Sequence, residues 1–150
     1  MIGSAMARVD FYLLAESGDL SRQTFACRLA EKAYRLKNTV HIQAADRLHA
    51  QQLDGLLWTF RDGSFVPHEL AGAQSGPSGP PASPITIGWT GEDLRPGNLL
   101  INLADELPET LQSFTRVAEI VTSDEDCRRR GRKRFAEYRS RGHDLQLHQL

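Results

Sequence analysis

Residues 9–44 read VDFYLLAESGDLSRQTFACRLAEKAYRLKNTVHIQA, and their pattern decides the fold. Val9–Leu14 is a short apolar run with aromatic and β-branched residues, the signature of a strand. Ser17-Gly18-Asp19 breaks it. From Leu20 to Leu36, Phe25, Leu29, Ala33 and Leu36 recur at helical spacing, with Arg28, Lys32 and Arg35 on the other side. Lys37-Asn38 closes that helix, and Thr39–Ala44 (TVHIQA) alternates as a second strand. Asp46 is placed to cap a second helix carrying Leu53, Leu56, Leu57 and Trp58 toward its end. Strand, helix, strand, helix is the repeat of a parallel sheet with right-handed crossovers. Leu13, Leu29, Val40 and Leu57 are expected to feed one core.

Downstream the pattern loosens. Asp62-Gly63 marks a turn, and Ser64–Gly72 (SFVPHELAG) has no period although it carries Phe65, Val66 and Leu70. Residues 73–84, AQSGPSGPPASP, hold four of the chain's seven prolines and are expected to form a flexible surface loop. They are no domain linker, because too little chain lies on either side for two cores. Ile85–Trp89, Asn98–Leu103 (NLLINL) and Arg116–Val121 (RVAEIV) read as strands. Pro108–Phe114 reads as a short helix with proline in its first turn, where a missing N–H is harmless. The expected architecture is α/β: a single domain over residues 6–150, with a mostly parallel central sheet flanked by helices. Met1–Ala5 (MIGSA) reads as a vector-derived scar ahead of a natural start at Met6.

Bulk properties narrow the class further. A chain of 150 residues, 40% hydrophobic and 25% charged, is enough for one domain with a real core. Cys27 and Cys127 lie far apart and form no CxxC, which suits a reduced, cytoplasmic protein. No apolar run approaches membrane-spanning length, and no signal pattern opens the chain. The formal charge of −1 hides a strong asymmetry. Residues 1–127 carry ten basic and seventeen acidic groups, whereas residues 128–150 carry eight basic and two acidic ones.

The basic end lies in Ser123–Gly142, SDEDCRRRGRKRFAEYRSRG. Ser123 and Asp126 have the S-x-x-D spacing of a capping box, acids precede bases as the helix dipole favours, and Gly142 is a plausible stop. At helical spacing Arg128, Arg132, Phe135 and Arg139 share a stripe. Cys127, Gly131 and Tyr138 lie beside it, toward the body, while Arg129, Lys133 and Glu137 point away. Guanidinium groups flanking a ring suit an apolar ligand that bears a carboxylate. A solvated basic helix is the plain alternative, and charge by itself favours it.

Other chemistry lacks its parts. The first strand-to-helix turn, Ala15–Leu20 (AESGDL), has one glycine, and neither G-x-G-x-x-G nor G-K-[ST] occurs. The topology is therefore nucleotide-binding-like without a phosphate loop, and no cofactor is expected. His41, His49, His68, His143 and His148 show no metal-ligand spacing, and His41 reads as a packed strand residue. Asp124, Glu125 and Asp126 are better explained as helix-end acids than as a Mg²⁺ site. No catalytic constellation stands out. Trp58, Phe60, Phe65 and Val66 crowd around a turn, either as core or as a protein-docking patch. The core reading has the edge for Trp58, and Phe65 is open.

Several segments together resemble a known family. FYLL near the start, L-D-x-x-L-W at Leu53–Trp58, SFVPHELAG, LLINL, and R-F-A-E-Y-R-x-x-G at Arg134–Gly142 are similar, in order, to the chi subunits of bacterial DNA polymerase III holoenzymes. The likeness runs from about Val9 to Leu145. It implies a non-catalytic accessory subunit of the clamp loader, with a nucleotide-binding-like fold that holds no nucleotide. It implies two partners. One is the psi subunit, whose aromatic contacts in the family fall on Trp58 and Phe65. The other is the acidic C-terminal tail of single-stranded DNA-binding protein, which ends in a phenylalanine carboxylate. The family's tail-binding positions fall on Val121, Arg128, Arg132 and Phe135. In one relative lysine stands at the place of Arg128 and tyrosine at that of Phe135. Contact with DNA is then indirect, and no membrane is involved. The competing expectations are direct nucleic-acid binding through the basic helix and, further off, an α/β nucleotide-binding enzyme.

Overall fold

Arg8–Leu13 forms strand β1, Asp19–Arg35 helix α1 and Val40–Gln43 strand β2, the unit expected from residues 9–44. The computed structural model describes residues 7–61, 63, 66–70, 83–90, 97–108, 111 and 114–150. Helix α2, Arg47–Thr59, follows, and the Asp46 carboxylate accepts the backbone N–H of His49 at 2.9 Å, as the cap requires. Then come β3 (His68–Leu70), β4 (Ile85–Gly88), β5 (Leu99–Asn102), β6 (Arg116–Val121), α3 (Glu125–Ser140) and β7 (Asp144–Gln149).

The strands make one sheet in the order β3-β4-β2-β5-β6-β1-β7, and every pairing is parallel. A parallel sheet must be covered on both faces, so successive strand residues feed different cores. On one face Ile42, Ile87, Ile101 and Ile120 meet Ala26 of α1 and Leu53 and Leu57 of α2. On the other, Val9, Phe11, Val117 and Val121 meet Tyr138 of α3. This corrects the expectation of one core: Val40, Leu57 and Leu29 belong to the first cluster, whereas Leu13 packs against the second. No described helix is long and apolar enough to cross a membrane.

Four other expectations change. β3 arises inside SFVPHELAG, where three residues are too short to display a period. A further strand, β7, follows the basic helix, where none was expected. The Ser123–Asp126 capping box does not form: Asp124 is the N-cap residue and makes no side-chain cap bond. Its carboxylate instead accepts Gly18 N at 2.9 Å and Thr122 Oγ1 at 2.8 Å, fastening the start of α3 to the turn after β1. Trp58, for which the core reading had the edge, is 49% exposed. Gly142 does end α3, with φ of 86°, a conformation that costs glycine little. Phe65, residues 1–6, residues 71–82 and residues 109, 110, 112 and 113 of the expected short helix lie outside the described residues.

Candidate functional site

Helix α3 is amphipathic in an unusual sense, because a buried ion pair lies on its inner face. Arg134 is 3% exposed and Glu119 of β6 is fully buried. Arg134 Nε donates to Glu119 Oε1 at 2.9 Å, while Tyr138 Oη and Asn102 Nδ2 donate to Oε2 at 2.6 and 2.8 Å. Burial, and then the neighbouring carboxylate, push the Tyr138 phenol far above its ordinary value, which keeps it a donor. Three donors thus converge on one carboxylate and set the rotation of α3 about its axis, while Arg134 Nη2 stays buried without a hydrogen-bond partner among the described residues. One turn away, Gly131 lies against Val121, where a Cβ would stand 2.8 Å from Val121 Cγ2. Only glycine lets the helix come so near the strand.

With the helix seated in this way, a hollow of about 620 Å³ opens beside it. Its floor is Val121 at the end of β6 together with Phe11 and Leu13 of β1. Arg128, Arg132 and Phe135 form the helix wall, and the Phe135 ring meets that of Phe11 edge-on at 5.2 Å. The opposite wall is Leu147 and Gln149 of β7 with the following Leu150. Leu147 and Leu150 are 60% and 59% exposed. The walls are apolar, and the cations stand at the mouth. Arg132 lies 3.6 Å from Glu125 with both side chains largely in solvent, and among the described residues Arg128 forms no ion pair.

The structure therefore brings Val121, Arg128, Arg132 and Phe135 together around one cavity. Arg139 is exposed and does not line it, since the hollow ends a turn earlier. The basic end is also less free than its charge suggests. Arg134 is buried on Glu119, and Arg129, Arg130 and Arg141 are engaged by Asp126, Asp105 and Glu137. Leu147, Gln149 and Leu150 escaped the sequence reading, although DLQLHQL after Gly142 alternates with the period of a strand. Phe11 and Leu13 escaped it because they look like any apolar strand residues.

Trp58, one of the two expected partner-facing aromatics, lies at the other end of the sheet, beside β3. The indole of Trp58 covers the His68 ring at 4.4 Å between centroids and leaves its outer face to solvent. Phe65 lies outside the described residues.

A second cleft of about 560 Å³ opens past the carboxyl ends of β2, β5 and β6, where open parallel sheets commonly hold ligands. Asp19, Asp46, Asp105, Asp124 and Asp126 line it. Its arginines are already engaged: Arg22 donates to the carbonyls of Ile120 and Leu103 at 2.9 and 3.1 Å, and Arg130 to Asp105 at 3.2 Å. An acidic lining of this kind repels a phosphate. Among the described residues, no group of three or more His, Cys, Asp or Glu has the arrangement of a metal site.

Comparison with known proteins agrees with this architecture. A family described as "DNA polymerase III chi subunit, HolC" matches residues 6–146. The chain is 41% identical over 148 residues to the DNA polymerase III subunit chi of Pseudomonas aeruginosa, covering 97% of this chain and 98% of that one. It is 34% identical over 137 residues to the subunit chi of Haemophilus influenzae, covering 90% and 92%. Against that of Escherichia coli the figures are 30% over 145 residues, 93% and 96%. The crystal structure of T4 UvsW superposes with a TM-score of 0.64 at 8% identity, over 99% of this chain and 42% of that one, a likeness of fold alone. With a family match over nearly its whole length and relatives matched end to end, the chain belongs to the DNA polymerase III chi subunit family.

Proposed function

We propose that this protein is a non-catalytic accessory subunit of a cytoplasmic replicative DNA polymerase, and that the hollow beside α3 receives the acidic, Phe-terminated C-terminal tail of single-stranded DNA-binding protein. The observation that carries the reading is the convergence of Arg128, Arg132 and Phe135 with Val121 on one apolar cavity of about 620 Å³. A hydrophobic pocket with a few convergent polar groups is the usual form of a small recognition site. The terminal ring of the tail enters between Phe135, Val121 and Leu147. Its carboxylate meets Arg132 or Arg128, whose planar guanidinium groups suit a carboxylate. Upstream aspartates are held by the outer arginines through weaker, screened attraction.

A second surface, around Trp58 and Phe65, joins the protein to the psi subunit of the clamp loader. What supports it is the exposed indole, since a large ring left in solvent at a sheet end is the kind of group that anchors interfaces. The protein then links the polymerase assembly to coated single strands, and touches DNA only through its partner.

Calorimetry with a peptide ending in Asp-Asp-Ile-Pro-Phe, beside one lacking the Phe, tests the tail site. The full peptide is expected to bind and the shortened one to lose most of its affinity. Unchanged affinity in an Arg132→Ala variant would remove the assignment. Tight binding of a bare oligonucleotide to the same helix would replace it with direct nucleic-acid recognition.

A further inference from the structure

Beyond its arginines, the hollow depends on an edge strand. β7 lies at one edge of the sheet and, among the described residues, pairs only with β1, in the register Phe11↔Leu147, Tyr12↔His148, Leu13↔Gln149. Alternate residues point to opposite faces. Leu147 and Gln149 line the hollow on the α3 side, and His148 stands on the other face. Edge strands open at lower cost than central ones, because they are paired on one side only. A wall made of Leu147 and Leu150, both largely exposed, is therefore only as rigid as the anchor behind it.

That anchor is visible. Asp10 of β1 is 1% exposed and lies beneath three donors from three strands. Arg8 Nε and Arg116 Nη2 reach it at 3.2 and 3.0 Å, and His148 Nε2 of β7 at 2.8 Å. The His148 ring is stacked on Tyr12 with centroids 4.9 Å apart and planes inclined by 17°. Tyr12 in turn meets Phe25 of α1 at 5.4 Å. One side chain thus ties β7 to β1 by a charge-assisted bond and, through stacked rings, to the helix covering the far face.

We propose that His148 is a positioning residue for the tail site: by clamping β7 to Asp10 and Tyr12 on one face of the sheet, it holds Leu147 and Leu150 in place on the other and so sets the preference for a terminal aromatic ring. The inference rests on the tail reading given above. His148 touches no part of the cavity, so its effect is confined to the ring and leaves the arginine-borne attraction alone.

The test compares wild type, His148→Ala and His148→Gln, the last keeping a side-chain N–H for Asp10. Each is titrated with the Asp-Asp-Ile-Pro-Phe peptide and with the peptide lacking Phe, and amide hydrogen exchange is followed along β7. In His148→Ala, Kd for the Phe-ended peptide is expected to rise roughly five- to tenfold, the scale of one lost charge-assisted contact. Weak binding of the Phe-less peptide stays the same, exchange at Leu147 and Gln149 quickens, and His148→Gln recovers most of both. An unchanged Kd for the Phe-ended peptide, or an equal loss for both peptides, overturns the positioning role. If wild type binds neither peptide, it is the tail reading that falls. Unaltered exchange in His148→Ala overturns the clamp whatever the peptides do.

Discussion

Gly131 and Val121 meet so closely that a single added carbon has no room: a Cβ on Gly131 would lie 2.8 Å from Val121 Cγ2 and 3.4 Å from Cγ1. Valine is stiff about χ1, so its methyl groups cannot swing aside. Gly131→Ala should therefore push α3 off β6. Overpacking costs about 1–3 kcal/mol and outweighs the roughly 1 kcal/mol that alanine adds to a helix interior. Urea denaturation should show a net loss of stability, and calorimetry weaker peptide binding at the proposed tail site, because the floor and the helix wall separate. Combining it with Val121→Ala should restore part of the stability, a coupling that a double-mutant cycle measures.

Arg128 and Arg132 differ in how much competition they face. Arg132 shares its charge with Glu125 at 3.6 Å, whereas Arg128 has no ion pair among the described residues. On the proposed tail reading, Glu125→Gln should therefore strengthen peptide binding modestly by freeing Arg132, and the gain should shrink as salt is raised. A titration at two salt concentrations checks this. A variant that binds more weakly would mean that Glu125 orients Arg132 and does not compete for it.

Removing Arg134 should be far costlier than removing any exposed arginine of α3. Arg134→Leu strands the fully buried Glu119 carboxylate, and breaking a buried pair on one side costs about 3–5 kcal/mol. The double variant Glu119→Leu with Arg134→Leu should recover much of that loss, since no charge is then stranded. Tyr138→Phe, which removes one donor to Glu119, should fall between wild type and Arg134→Leu. Chemical denaturation of the four proteins gives the order.

Acid should loosen the sheet through Asp10. Burial works to raise its pKa, but hydrogen bonds from His148 and Arg116 and the charges of Arg116 and Arg8 outweigh it and hold the carboxyl below its ordinary value of 3.8. A carboxylate depressed in the folded state adds stability above its unfolded pKa and loses it as pH falls through the folded one. The contribution is therefore whole at neutral pH, begins to fall near the ordinary value of 3.8 and is lost as pH drops through the lower folded value, in the same direction as the shifts of Asp46 and Asp124. Thermal melts at pH 7, 4 and 3 should show Asp10→Asn less stable than wild type at pH 7, with the gap closing in acid. A constant gap would mean that Asp10 does not titrate in this range.

Local sequence determined what depends on periodicity and capping. The β1–α1–β2–α2 run, Asp46 as a cap, Gly142 as a stop and the outward stripe of α3 were all legible, because each follows from neighbours within a turn or two. Tertiary structure decided what depends on residues far apart in the chain. Asp124 sits at the N-cap of α3 without a side-chain cap bond, and its carboxylate is instead taken by Gly18, on another segment, and by Thr122. Arg134 looks like one more basic residue in RRRGRKRF until Glu119 is found beneath it. The far wall of the hollow comes from β7, whose closing leucines acquire meaning only when the sheet places them opposite Arg128, Arg132 and Phe135. Periodicity tells which way a side chain points; only the folded sheet supplies what it points at.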